Sequence, residues 1–561
     1  MDIQRLLAIV VFSLSLMWLW EAWQTYSHPQ PVVSTAVQTG VPASPATIGV
    51  PTPSATPANV LPGAVAVASA QTERGARAVI HTDVMRVEID AHGGDLRGVV
   101  LTKYRADEDG AQPFTLLQEQ AGKDYFAQSG WVGTGVGTGF PTHKTVFEMP
   151  AGEQTLPAGQ NTLKLSLKAR EGDLELIKTY TFTRGSYLIE VDQQVVNHGA
   201  TPVSAQAYFQ FLRHGQAPAG ESMMMRSYTG PAMYTEAGKF QKVPFSDIGD
   251  GKPDHITQAS DGWIGMIQHH FVSAWLLGTA TDARSREFFT KALGPDSYTA
   301  GMILPPMQVA AQGQGSLKTR LYVGPQALEH IEALAPGMEY VVDYGWLTVL
   351  AYPIFMLLKW IYLVVPNWGW AIILLTIMIK MAFYPLSAAS YKSMAKMRKL
   401  APKLQQVKDR YGDDKQKLHE QMMKVYSEEK INPLGGCLPM LVQIPVFIAL
   451  YWVLRGAVEL RQAPWALWIS DLSAQDPYYI LPVLMAVSMF VQQKMSPPPT
   501  DPIQAKIMMY MPIMFSVFFF FFPAGLVLYW IVNNLISIAQ QWRINVVVDR
   551  ANAVVKDGAK H

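Results

Sequence analysis

The sequence predicts a polytopic α-helical membrane protein that carries a large antiparallel β-domain, and three observations predict it. Residues 76–340 show repeated patterns of alternating polar and apolar side chains with a period of two, the pattern of half-buried strands. Residues 346–545 contain long stretches without formal charge, the pattern of segments surrounded by hydrocarbon. Charged residues make up 16% of the chain, well under the ~25% of soluble proteins. A net charge of +1 gives no electrostatic footprint for nucleic acid, and no nucleic-acid specificity is expected. The only cysteine, Cys437, leaves no internal disulfide, so an extracytoplasmic domain must hold together through its core.

At the N-terminus, Leu6 to Trp20 is uncharged and short enough for a signal-peptide core. No small-x-small cleavage site follows it, and Trp18, Trp20 and Trp23 resemble an interfacial aromatic belt. Residues 1–24 therefore read as a retained anchor. From His28 to Gln71 there is no Lys, Arg, Asp or Glu and little large apolar surface, so 25–75 reads as a flexible linker. In the β-domain, placed at 76–345, Leu163, Leu165 and Leu167 alternate with Lys164, Ser166 and Lys168. Leu174, Leu176, Lys178, Tyr180 and Phe182 then share one face. Gly93-Gly94 and Arg184-Gly185-Ser186 supply turns, and serial hairpins of this kind argue a sandwich.

Residues 346–365 carry one charge, Lys359, and an internal Pro353, and read as an amphipathic helix at the interface. Charge-poor runs then place spans at about 367–389, 432–455, 477–494, 507–522 and 526–543 within a core of 366–545. The last two are split at Pro523-Ala524-Gly525, because one helix across Lys506–Arg543 would be about 54 Å long against a ~30 Å hydrocarbon layer. With the anchor this makes six transmembrane helices. The segment 391–430 holds eleven Lys/Arg against six acids, and 457–477 one against three. The positive-inside rule puts 391–430, both termini and the tail 546–561 in the cytoplasm, and the β-domain on the opposite side.

Met394, Met397, Leu400, Leu404, Val407 and Tyr411 recur at helical spacing, Gly412-Asp413 interrupts them, and Leu418, Met422 and Val425 resume. The segment 391–430 is thus a helical hairpin: either a self-packed connector or a receiving arm for ribosome, targeting factor or nascent chain, whose Met stripe suits varied apolar partners. Lys380 stands alone in apolar sequence, at a cost on the order of 2.5–3.5 kcal/mol on insertion scales. It either snorkels to the headgroups or faces a water-filled cavity in the bundle. The second reading is favoured by Thr376 one turn earlier and by Gln443, Asn533, Asn534 and Ser537 on other spans. Pro433, Pro439 and Pro445 loosen the span they enter. No phosphate loop, metal-spaced Cys/His cluster or nucleophile elbow is present, so no cofactor and no catalytic residue is expected.

Lys380-Met-Ala-Phe-Tyr-Pro-Leu, Asn432-Pro-Leu-Gly-Gly-Cys-Leu-Pro, Ile480-Leu-Pro, Gln493-Lys-Met-Ser-Pro and Pro523-Ala-Gly-Leu-Val-Leu-Tyr-Trp resemble the YidC family of membrane protein insertases. Gly262-Trp-Ile-Gly-Met-Ile-Gln-His-His-Phe-Val-Ser-Ala-Trp resembles that family's periplasmic domain. The resemblance implies a non-enzymatic protein of the bacterial inner membrane. It implies a five-helix insertase core, a periplasmic β-supersandwich akin to sugar mutarotases, and partnership with the Sec translocon. It also implies nascent membrane proteins and membrane lipids as partners, and substrate contacts at Thr376 and Trp530. The family carries Arg where this chain has Lys380, which keeps the charge and removes the bidentate fork. The candidate groove is Lys380, Thr376, Gln443, Met440, Tyr529, Trp530, Asn533 and Asn534. A nascent segment would hold its polar flank near Lys380 while its apolar part slides along spans 432–455 and 507–522 into lipid. Two rival readings are a membrane-anchored carbohydrate enzyme acting through the β-domain and a small-molecule transporter. The second lacks an inverted repeat and leaves the hairpin without a role.

Overall fold

The computed structural model describes residues 49–51, 75–106, 112–134, 139–216, 218, 227–277, 284–412, 414–429, 438–495 and 502–558. The expected anchor, most of the expected linker, and the turn from Asn432 through Cys437 lie outside them. The described chain divides into two compact units between Val342 and Asp343, three residues before the expected boundary.

The first unit is a two-sheet sandwich. Its alternation is the predicted one: along Leu174–Thr183 every second residue is buried, including Lys178, and the intervening ones are half-exposed. Gly93 and Gly94 take φ of 76° and 60°, a region that favours glycine, and so reverse the chain between Met85–Asp90 and Leu96–Arg105. One sheet has eleven strands. Its path runs from Gln258–Ala259 through Arg286–Gly294, Ser297–Ile303, Val203–His214, Tyr125–Thr134, Leu96–Arg105, Met85–Asp90 and Arg77–His81 to Gly152–Thr155. The other has eight, in the order Lys239–Lys242, Gly230–Thr235, Trp263–Gln268, Phe271–Leu277, Gln314–Pro325, Leu188–Asn197, Leu174–Thr183 and Thr162–Glu171. Pairing is antiparallel except that Arg77–His81 and Gly152–Thr155 run parallel. That departure falls on a short, largely exposed edge strand of polar sequence, Gly-Glu-Gln-Thr, which carries no alternation to announce it.

The sheets meet over an aromatic core that includes Trp131, Trp275, Tyr208, Phe209 and Phe211. Each such side chain contributes on the order of 2–3 kcal/mol through burial. The indole N–H groups are satisfied across the interface. Trp131 Nε1 donates to Gln193 Oε1 at 2.7 Å, and Trp275 Nε1 donates to the Gln210 carbonyl at 3.2 Å.

The second unit is helical. Its helices are α1 (Thr348–Val364), α2 (Trp368–Ala382), α3 (Tyr384–Tyr411), α4 (Lys415–Glu428), α5 (Leu438–Gly456), α6 (Ile480–Met495), α7 (Pro502–Phe519) and α8 (Ala524–Gly558). Three features differ from the expectation. The span expected at 367–389 stops at Ala382, and α3 leaves it at 67°. Pro385 explains the break, because its ring clashes with the carbonyl four residues back and it has no N–H to offer. The hairpin's first arm therefore begins at Tyr384 rather than 391. Next, α1 buries Ala351, Ile354, Phe355, Leu358 and Ile361, but its opposite face shows Val349, Trp360, Leu363 and Val364. Both faces are apolar, so the helix is less amphipathic than expected. Third, α8 runs unbroken to Gly558, because no Pro or Gly interrupts it after Gly525, and most of the expected tail is helix.

The expected six spans include an anchor that lies outside the described residues. Among the described residues no single helix is both long and apolar enough to cross a membrane, and only the bent pair α2–α3 is so by length and composition. Helix α6, with 16 residues, reaches about 24 Å against a ~30 Å hydrocarbon layer. The hairpin itself breaks between Gly412 and Asp414, as the spacing predicts. Asp414 caps α4 by accepting from Gln416 N and Lys417 N, each at 3.1 Å, and Lys403 joins Glu429 across the two arms at 3.0 Å.

Candidate functional site

Helix α2 starts where Asn367 accepts from Trp370 N at 3.1 Å and donates to the Trp465 carbonyl at 3.0 Å, which fixes the helix against the 457–477 segment. Along α2 the inward residues include Ala371, Ile372, Leu375, Thr376 and Lys380, and the outward ones include Leu374, Ile377, Met378 and Met381. The four-residue step from Thr376 to Lys380 is one helical turn, so both belong to the inward face.

Lys380 is 6% exposed, and its ammonium points into the unit. Nζ donates to Ser537 Oγ on α8 at 2.8 Å and to Gln443 Oε1 on α5 at 3.4 Å. The Gln443 amide donates in turn to the Tyr529 hydroxyl at 3.2 Å and to Asn533 Oδ1, while Ser537 Oγ donates to the Asn533 carbonyl at 2.7 Å. One lysine thus ties three helices together through neutral groups. Among the described residues no carboxylate lies within ion-pair distance of it. A buried cation held this way keeps its hydrogen bonds but not a counter-charge.

The sequence reading expected a water-filled cavity at this point. The space beside Lys380, lined by Ile379, Phe383, Leu386, Val442 and Gln443, is about 10 Å³. That is close to the ~10–15 Å³ one water requires. Among the described residues the polar side chains bond directly to one another and form a seam.

The candidate residues separate into three groups. Lys380, Gln443, Tyr529 and Asn533 form the seam, with Ser537 completing it. Thr376 and Trp530 flank it. Thr376 donates to the Ile372 carbonyl of its own helix at 2.7 Å, and Trp530 stands edge-on to Phe447 with ring centres 4.6 Å apart. Asn534 is turned away, as adjacent helical positions must be, and donates to Ser488 Oγ on α6 at 3.1 Å. Met440 lies in α5, with its side chain outside the described residues. Ser488 was missed by the sequence reading, although a hydroxyl inside the charge-free run 477–493 was a signal of the same kind as Lys380.

Comparison with known proteins decides what this architecture belongs to. The profile of the YidC periplasmic domain matches residues 77–357, and that of the 60Kd inner membrane protein matches residues 360–551. A protein of Thiobacillus denitrificans (strain ATCC 25259 / T1), described as membrane protein insertase YidC, is 53% identical over 98% of each chain. The chain belongs to the YidC family of membrane protein insertases. A YidC of Aromatoleum aromaticum (strain DSM 19018 / LMG 30748 / EbN1) is 50% identical over 100% of both chains. A solved structure described as an active YidC insertase with the first transmembrane domain resolved is 20% identical. It covers 82% of this chain and 91% of that one at a TM-score of 0.36. YidC proteins are inner-membrane proteins with a periplasmic domain, which here is the two-sheet sandwich. Insertion is a change of environment rather than a chemical reaction, and the protein is not an enzyme.

Proposed function

We propose that the seam centred on Lys380 is where this insertase receives the polar flank of a nascent membrane segment. One observation carries the reading: the lysine's charge is held between α2, α5 and α8 by a hydroxyl and an amide, which side-chain rotation can withdraw. An acidic or polar flank entering from the cytoplasm replaces Ser537 and Gln443 as partner of the ammonium. Thr376 and Trp530 then meet the first apolar residues, which pass into lipid along α5 and α7, and burial of the substrate's apolar surface drives release. No energy source of the protein's own is needed.

The basic α3–α4 hairpin serves as a docking arm for ribosome or targeting factor. Both termini lie in the cytoplasm, and the Sec translocon is the partner for larger substrates. Support for these parts is the charge asymmetry of the segments and the family resemblance.

Photocrosslinkers placed singly at Thr376, Trp530 and Asn534, with a stalled single-span nascent chain, test the reading. Adducts are expected from Thr376 and Trp530 and not from Asn534. Equal adducts from all three positions, or adducts from Asn534 alone, would contradict it.

A further inference from the structure

The β-domain contains a cavity of about 260 Å³ that takes no part in the seam. Strands of both sheets line it, and its polar groups are positioned by main chain. Arg320, on Gln314–Pro325, donates through Nη2 to the carbonyls of Leu334 at 3.0 Å and Leu277 at 3.4 Å. Its Nε is buried and has no hydrogen-bond partner among the described residues. Glu190, its exposed neighbour across the ladder, lies beyond ion-pair distance. Arg286, 4% exposed, donates to the Gly262 carbonyl and adds a second guanidinium to the lining.

The Leu334 and Leu277 carbonyls satisfy Arg320 N–H groups without neutralising its charge, and a cation facing a cavity favours an anionic group in the guest. The rest of the lining limits what that anion can be. Trp263 is fully buried and fixed, its Nε1 donating to the Pro336 carbonyl at 3.0 Å, and with Leu276 and Leu277 it makes an apolar wall. Asp261 accepts from Glu236 N through one oxygen at 2.7 Å, and it too lines the cavity, as does the Glu236 side chain. Carboxylates in the same lining repel a dianion such as phosphate and attract an ammonium.

We propose that this cavity binds a small zwitterion of the dipeptide type, its carboxylate on Arg320, its ammonium on Asp261 and its apolar side chain against Trp263 and Leu276.

Equilibrium dialysis of radiolabelled alanyl-leucine against the full-length protein in detergent tests it. Saturable binding is expected. Alanyl-leucinamide and the Arg320→Gln protein should each bind at least about tenfold more weakly, since each removes a charge-assisted pair. Asp261→Asn retains an acceptor for Glu236 N and so keeps the local fold, which matters if Arg320→Gln unfolds. It should weaken alanyl-leucine and leave N-acetyl-alanyl-leucine, itself a weaker ligand, unchanged. Equal binding of acid and amide would overturn the proposal. So would displacement by inorganic phosphate at lower concentration than by unlabelled dipeptide, or the absence of saturable binding.

Discussion

Each unit of the molecule buries a lysine, and the two are held in opposite ways. In the sandwich, Lys178 is fully buried and donates to the main-chain carbonyls of Gly93 at 2.7 Å and Ser129 at 2.8 Å, with its ammonium 4.9 Å from the Phe147 ring centre. Asp95 lies nearby, supplies a counter-charge when ionised, and is itself held by Gln128 at 2.8 Å. In the helical unit, Lys380 meets a hydroxyl and an amide, with no carboxylate among its described partners. Main-chain carbonyls cannot swing away without rebuilding a strand or the turn between strands, whereas Ser537 and Gln443 can change rotamer. The first lysine fastens a core, and the second is a charge kept where a guest can take over its partners. The contrast is one of partner mobility, not of burial.

The strongest way to break the comparison is to remove the fastening charge. Lys178→Met takes the donor from two carbonyls and leaves Asp95 buried without its partner, which should destabilise the sandwich by about 3–5 kcal/mol. Chemical unfolding of the full-length protein in detergent, followed through tryptophan fluorescence, measures it. A loss no greater than that from Lys380→Met would erase the distinction.

A second, smaller effect is in pH. Burial raises the Asp95 carboxyl to about 7, against the pull of Lys178 and Arg97. Folded protein therefore holds a proton at Asp95 that the unfolded chain releases near pH 4. The stability this proton brings is complete below about pH 4 and is lost as pH rises through about 7. Over that interval the sandwich should lose on the order of 1 kcal/mol per pH unit relative to Asp95→Asn, which still accepts from Gln128. Parallel pH profiles for parent and variant would contradict the assignment.

The smallest effect separates the seam from its neighbour. Asn534→Leu removes the bond to Ser488, worth about 0.6 kcal/mol in membrane helices, and should leave substrate charge preference unchanged. Asn533→Leu should alter that preference, because the Asn533 side chain accepts from the Gln443 amide and so orders Gln443 beside Lys380. If Asn534→Leu shifted preference as much as Asn533→Leu, the seam would be drawn too narrowly.

The sandwich strands were legible because a period of two marks both their existence and their inward face. Even Lys178 sat on the correct side of its strand. The parallel edge pair was not, because Gly152–Thr155 has no pattern. Among the helices, the break at Gly412 was legible and the one at Phe383 was not. Charge counting continues through Pro385, whose effect is steric. Lys380, Gln443 and Asn533 were found as polar residues out of place in apolar sequence. That test does not distinguish Asn533 from Asn534, which differ by one position and face different helices. Nor does it tell a wet cavity from a seam that has closed on itself, since that depends on which polar groups reach one another.

The most direct test of the central claim is an insertion assay on one single-span substrate whose translocated tail is made acidic or nearly neutral. Lys380→Arg, Lys380→Ala and Lys380→Glu are compared with the parent. If Lys380 attracts the polar flank, Arg keeps activity, Ala loses much of it and Glu is worst, with the deficit largest for the acidic tail and smallest for the neutral one. Equal insertion of the acidic-tail substrate by Lys380→Glu and the parent would contradict the electrostatic account.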